Sequence, residues 1–306
     1  MGHALSGFRD TDSLLADQMS RVRLTMSSAM SPPRVDNSND RGPAPWYFLV
    51  GTVVWTGVLQ GIVALSGADM LAMPWALLWL LGGVGPAVVA TGLIARGYWD
   101  EELDVSAAAY WRRCLDPRTL GWRGLGWVAL CAVALALGPL VFDPETVRAE
   151  GLFSLDSPTL LAIGFAAGLV EEVGWRGYAQ EALQRRMSVL SAALVIGVFW
   201  GLWHAPLFFI AGTHHYELGL FTPEGAAFFA AIMVGVPVYA WLYNITGRAV
   251  LAAILYHAIG NSLRVVVPDV SNLAEVGVEL ALSVIVIALG WHWMTRRRAR
   301  GEAVPR

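Results

Sequence analysis

Lysine is missing altogether: all 21 basic residues are arginine, set against 24 acidic ones for a formal net charge of −3. Charged residues make up only 15% of the 306-residue chain and form no basic stripe, so nucleic acid is excluded as a partner. Cysteine is scarce as well. With only Cys114 and Cys131 present, no disulfide framework can staple the fold, and thiol chemistry is not expected. No segment alternates polar and apolar residues with period two, which argues against a transmembrane barrel. No repeat of fixed period, heptad run or HExxH zinc motif occurs.

Apolar residues are what the chain has in excess. They make up 56% of it, with a mean hydropathy of +0.53 and 14 tryptophans, too apolar for an ordinary soluble enzyme and rich in interfacial anchors. Residues 1–45 hold five Arg and five Asp among Ser, Pro and Asn, with no apolar stretch able to span a bilayer or act as a signal, and read as a disordered cytoplasmic tail. From Trp46 onward, apolar runs recur near the ~20 residues that cross the hydrocarbon as helix. The runs lie at about 46–67, 75–95, 126–142, 159–178, 188–211, 225–245, 249–263 and 277–294. The expected fold class is therefore all-α: a polytopic membrane helix bundle of about eight transmembrane helices, one domain over 46–295, closed by a basic tail at 296–306.

Arginine placement tests the topology, because cytoplasmic loops are enriched in basic residues. In the eight-span scheme the N-tail, the second, fourth and sixth loops and the C-tail carry all but Arg148, Arg176 and Arg264. Both termini are thus expected in the cytoplasm. The second loop mixes Tyr110, Trp111, Leu115, Trp122 and Trp127 with its arginines, a composition suited to an amphipathic segment on the membrane surface. The run Arg296-Arg297-Arg298-Ala299-Arg300 reads as a stop-transfer signal, and His214-His215 as part of a solvated loop.

Glu171, Glu172, Arg176, His204 and His257 stand within or at the ends of these apolar runs. A charge at the bilayer centre costs at least about 2.5–3.5 kcal/mol, so such residues need mutual compensation or a watered cavity, and by default they mark a functional site. The helical period puts Glu172 and Arg176 on one face with the acid N-terminal, a spacing suited to an ion pair. Glu171 is turned by ~100° and is left free to face a cavity as general base toward a water. His204 lies in FWGLWHAPLFF before the helix-bending Pro206; alone it fits a core histidine or a catalytic one. His257 and Asn261 are one turn apart, so an imidazole and a carboxamide share a face, either to hold an oxyanion or to bond neighbouring helices. Counted from the cytoplasmic ends at ~1.5 Å per residue, Glu171 and His257 lie ~13 Å deep and His204 ~24 Å, so His204 needs a tilted or broken fifth helix to join them.

With Glu171-Glu172-Val173-Gly174-Trp175-Arg176 (EExxxR), Trp200 to His204 (FxxxH, with Trp for Phe) and His257 to Asn261 (HxxxN), the chain resembles the CPBP intramembrane proteases, which include CAAX prenyl endopeptidases and bacterial Abi proteins. The resemblance covers about 158–262. It implies an intramembrane endopeptidase acting on a membrane-associated protein or peptide. Glu171 would activate water with help from His204, His257 and Asn261 would hold the oxyanion, and Glu172 with Arg176 would brace the site. Trp200 in the motif's Phe position keeps an aromatic wall. If a metal is bound, Glu171, His204 and His257 are the candidate Zn²⁺ ligands; a metal-free glutamate–histidine mechanism is preferred. The all-arginine, Ala- and Gly-rich composition suggests a bacterial plasma-membrane protein. The competing readings are a proton-coupled transporter and a non-catalytic bacteriocin-immunity or scaffold protein.

Overall fold

The structure, a computed structural model, describes residues 42–99, 106–142, 144–145, 158–266 and 272–297. The N-terminal segment 1–41 and the C-terminal residues 298–306 lie outside the described residues, and Pro45, assigned from sequence to the tail, already opens the first helix. Among the described residues every regular element is helical, apart from one isolated bridge between Asp69 and Ala211. In chain order these are α1 (Pro45–Ser66), α2 (Trp75–Gly83), α3 (Gly85–Ala95), α4 (Ala107–Leu115), α5 (Gly121–Phe142), α6 (Pro158–Gly174), α7 (Glu181–Gln184), α8 (Val189–His204), α9 (His214–Leu218), α10 (Pro223–Ile245), α11 (Val250–Val266) and α12 (Asn272–Met294). All of them belong to one compact unit, Asp40–Arg306.

Each apolar run falls on helix. Five helices are long and apolar enough to cross a membrane (α1, α5, α8 with its extension to Phe209, α10 and α12), and the α2–α3 pair, bent by 57°, makes a sixth if it counts as one span. The polar residues of the site sit on the shorter α6 and α11, which is why a hydropathy count alone does not fix the number of crossings. α10 is the central helix, with 61% of its apolar window buried, whereas α5 at 22% turns most of its surface outward, as a lipid-facing helix must.

Local chemistry sets the helix ends. Ser188, Thr213 and Thr222 accept hydrogen bonds from the backbone N–H of Ser191, Tyr216 and Gly225, and Pro223 follows the Thr222 cap, where its missing N–H costs nothing. α8 stops at His204 because Pro206 cannot continue the ladder, and Ala205–Phe209 tightens into a 3₁₀ turn. The fifth span is therefore broken at the histidine that needed it.

α6 is squeezed between two neighbours by its glycines. A Cβ on Gly168 would stand 2.7 Å from the Ala258 nitrogen of α11, and one on Gly174 would stand 2.6 Å from Pro86 Cβ of α3. Gly164 and Gly168 form a small-xxx-small pair that lets α6 and α11 approach backbone to backbone, the way helices associate where lipid supplies no hydrophobic drive. This contact brings the Glu171-Glu172 turn beside His257.

α4 of the second loop is amphipathic; Tyr110 and Cys114 are buried against the bundle and Trp111 Nε1 donates to Thr91 Oγ1 of α3 at 3.0 Å, so part of its apolar face packs on protein. Leu115, Trp122 and Trp127 remain exposed.

Candidate active site

The residues that charge logic singled out converge around one indole ring. α6 supplies Glu171 and Glu172, both buried, and the chain then winds as a π-helix over Trp175–Gln180 before α7, carrying Arg176 into the same buried layer. Arg176 Nη1 reaches both Glu172 oxygens at 3.0 and 2.9 Å, and neither side chain is exposed. The expected ion pair is present, and it has a third member. His257 Nδ1 lies 2.8 Å from Glu172 Oε1. A carboxylate paired with arginine only accepts hydrogen bonds, so His257 carries its proton on Nδ1 and is oriented by Glu172.

Glu171 points elsewhere, as its rotation about the helix requires. Its Oε2 accepts a 2.7 Å hydrogen bond from the Trp200 indole N–H of α8. Trp200 stacks edge-on to His257 with ring centroids 5.3 Å apart, and its centroid is 5.9 Å from that of His204. The Arg176 guanidinium lies over Trp200 at 4.9 Å and over Tyr239 of α10 at 4.2 Å. Flanking π-faces suit a buried guanidinium whose Nε and Nη2 have no hydrogen-bond acceptor.

His204, half-buried at the break of α8, has Nδ1 2.8 Å from the Trp200 carbonyl. A carbonyl can only accept, so Nδ1 is the nitrogen that donates in this bond. His204 lies one turn beyond Trp200, whose side chain touches Glu171 and His257. The ring of His215 stacks on His204 at 5.4 Å and meets Phe228 at 4.6 Å. The His214–Leu218 segment is thus a short helix whose second histidine belongs to the site's rim, a correction to its reading as a solvated loop.

Asn261 does not meet His257 in the manner its spacing suggested. Its Nδ2 donates to the Gly164 carbonyl of α6 at 3.1 Å, across the close α6–α11 contact, while His257 turns to Glu172. The amide nitrogen has a second N–H. Ser262 bonds back to the Ala258 carbonyl at 2.7 Å within its own helix.

Charge logic did not find several supports of the site. Tyr110 of α4 donates to the Val173 carbonyl beside the π-helical turn, where a π turn interrupts the regular ladder. Burial pushes the Tyr110 phenol well above its ordinary value, so it remains a donor, and it pushes the Cys114 thiol up to about 11. Tyr239 carries no signal in an apolar helix, yet it packs against Arg176, Trp200, Tyr256 and His257. Glu279 of α12 is a further buried carboxylate within an apolar run, reached by Tyr256 Oη at 3.2 Å.

No trio of His, Cys, Asp or Glu side chains among the described residues converges at metal-ligand spacing.

Residues 153–263 match the family described as type II CAAX prenyl endopeptidase Rce1-like, a stretch that includes all six motif residues. A protein named CAAX prenyl protease 2 from Methanococcus maripaludis is 32% identical over 141 residues, covering 44% of this chain and 51% of the relative. The chain spans about half the length of the curated relative it matches.

Proposed function

We propose that this chain is one of the CPBP intramembrane proteases, to which its match over residues 153–263 points, and that it is an endopeptidase that hydrolyses a peptide bond of a membrane-associated protein or peptide. The observation that carries the reading is the division of labour between adjacent carboxylates. Glu172 is committed to Arg176 and His257, while Glu171 is held through one oxygen by Trp200. Its other oxygen is left to take a proton from water.

The reaction follows from what each side chain can hold or donate. A water between Glu171 and His204 loses a proton to Glu171 as its oxygen attacks the scissile carbonyl, and His204 helps to orient that water. His257, oriented through Nδ1 by Glu172, and the second N–H of Asn261 hold the developing oxyanion; one such donor is worth about 10²–10³ in rate. The C–N bond then breaks, and Glu171 returns its proton to the leaving amine. No step is routed through a metal. The arginine distribution supports placing both termini in the cytoplasm.

The test is a purified, detergent-solubilised or liposome-reconstituted protein with internally quenched peptides, one plain apolar and one carrying a prenylated CAAX end. Cleavage by wild type, with one ¹⁸O from labelled water in the new carboxylate, and its loss in Glu171→Gln at unchanged thermal stability are expected. Proton-driven solute uptake by the liposomes without cleavage would overturn the reading.

A further inference from the structure

We infer that Trp200 is a positioning residue that aims both proton-handling side chains, Glu171 through its indole N–H and His204 through its main-chain carbonyl. The inference rests on the hydrolase reading above and adds to it a device set by this chain's own sequence. The motif that the chain resembles has phenylalanine here, and phenylalanine has no donor to give.

Three observations make the indole more than a wall. First, its N–H is 2.7 Å from Glu171 Oε2 in a buried setting, where a donor to a carboxylate is short and strong. An indole nitrogen only donates, so the bond cannot reverse and always leaves the same carboxylate oxygen bound. One oxygen of the Glu171 carboxyl group is thereby tethered to α8. Second, the ring is held on several sides, by Tyr239 at 5.3 Å, His257 at 5.3 Å and the Arg176 guanidinium at 4.9 Å. A cation over the ring draws electron density from it and strengthens the N–H as a donor, so the Glu172–Arg176 pair acts on Glu171 through the indole. Third, the carbonyl of the same residue accepts a 2.8 Å hydrogen bond from His204 Nδ1 and so sets the orientation of that ring. The two groups that must share one water are registered to each other by one residue. A misplacement of about 1 Å between such groups is enough to cost ~10²-fold in rate.

Trp200→Phe removes the N–H while keeping the aromatic ring and leaves the carbonyl, so it isolates the Glu171 half of the device. Tryptophan's sulfur isostere, 3-benzothienylalanine, incorporated at position 200, keeps the full bicyclic shape without the N–H. Cleavage kinetics of both, of Glu171→Gln and of wild type are measured on the same quenched peptide, with thermal unfolding in parallel. The expected result is a fall in kcat of about 10- to 100-fold with KM changed less than about twofold, matching the loss of one hydrogen bond to a charged group. Should the phenylalanine variant fold poorly, the isostere decides. A kcat within about twofold of wild type in the isostere, or a change confined to KM, overturns the role of Trp200 while leaving the hydrolase reading intact, provided Glu171→Gln is inactive. Wild-type cleavage that survives Glu171→Gln overturns the hydrolase reading and the positioning role with it.

Discussion

Replacing Arg176 by methionine removes the guanidinium that neutralises Glu172 but keeps an unbranched apolar stem of similar length. The loss can be worked from the geometry. Glu172 is fully buried and would keep a single donor, the Nδ1–H of His257 at 2.8 Å. Breaking one side of such a pair leaves an uncompensated interior charge and costs about 3–5 kcal/mol. Losing the contacts with the Tyr239 and Trp200 faces at 4.2 and 4.9 Å adds about 1 kcal/mol more. A total near ~5 kcal/mol corresponds to an apparent Tm drop on the order of 10 °C. Cys114 and Cys131 are both free and buried, so a thiol-reactive fluorogenic dye reports their exposure as the detergent-solubilised protein is heated. The informative companion is Glu172→Gln combined with Arg176→Met, which leaves no orphan charge and should recover about 2 kcal/mol or more of the single variant's loss. A drop below about 3 °C for Arg176→Met, or a double variant less stable than the single one, would refute the claim that this pair is a buried, mutually dependent brace.

Other consequences follow from single contacts. Gly168→Ala places a methyl 2.7 Å from the backbone nitrogen of Ala258, which cannot swing aside, so α6 and α11 must separate. A loss of about 1–3 kcal/mol in thermal unfolding and a matching loss of cleavage are expected. Tyr110→Phe removes the hydroxyl bound to the Val173 carbonyl; about 1 kcal/mol of stability should go, along with part of kcat, although Tyr110 lies outside the cluster around Trp200. Because burial pushes the Cys114 thiol up to about 11, iodoacetamide at pH 8 should leave it unmodified in the folded protein, which mass spectrometry of the peptide reads directly. Chelation by 1,10-phenanthroline should leave cleavage unchanged, since no step above needs a metal; inactivation reversed by added Zn²⁺ would contradict this.

The fold was legible because its cause is one-dimensional. A lipid-embedded backbone must satisfy its own hydrogen bonds, so runs such as 225–245 could only be helix, and the α10 found at Pro223–Ile245 differs from that run by two residues at its start and none at its end. The Glu172–Arg176 pair was legible for the same reason, since i,i+4 spacing on one helix fixes it without any tertiary input. Asn261 shows what spacing leaves open: sharing a face with His257 allows a common target, but the neighbour that approaches each side chain decides its partner within the bundle. For Asn261 that neighbour is the Gly164 carbonyl, and for His257 it is Glu172. Trp200 shows the opposite case. An aromatic among aromatics carries no sequence signal for a hydrogen bond, and its donor role exists only because α8 is set against α6.

Cost in lipid selected the few ionisable residues and the order of the helices, because each is a property of a local stretch of chain that composition and period already specify. Which oxygen each glutamate offers, how the broken α8 reaches the site, and why α4 packs on the bundle depend on contacts between stretches far apart in the chain, and those follow from close helix packing alone.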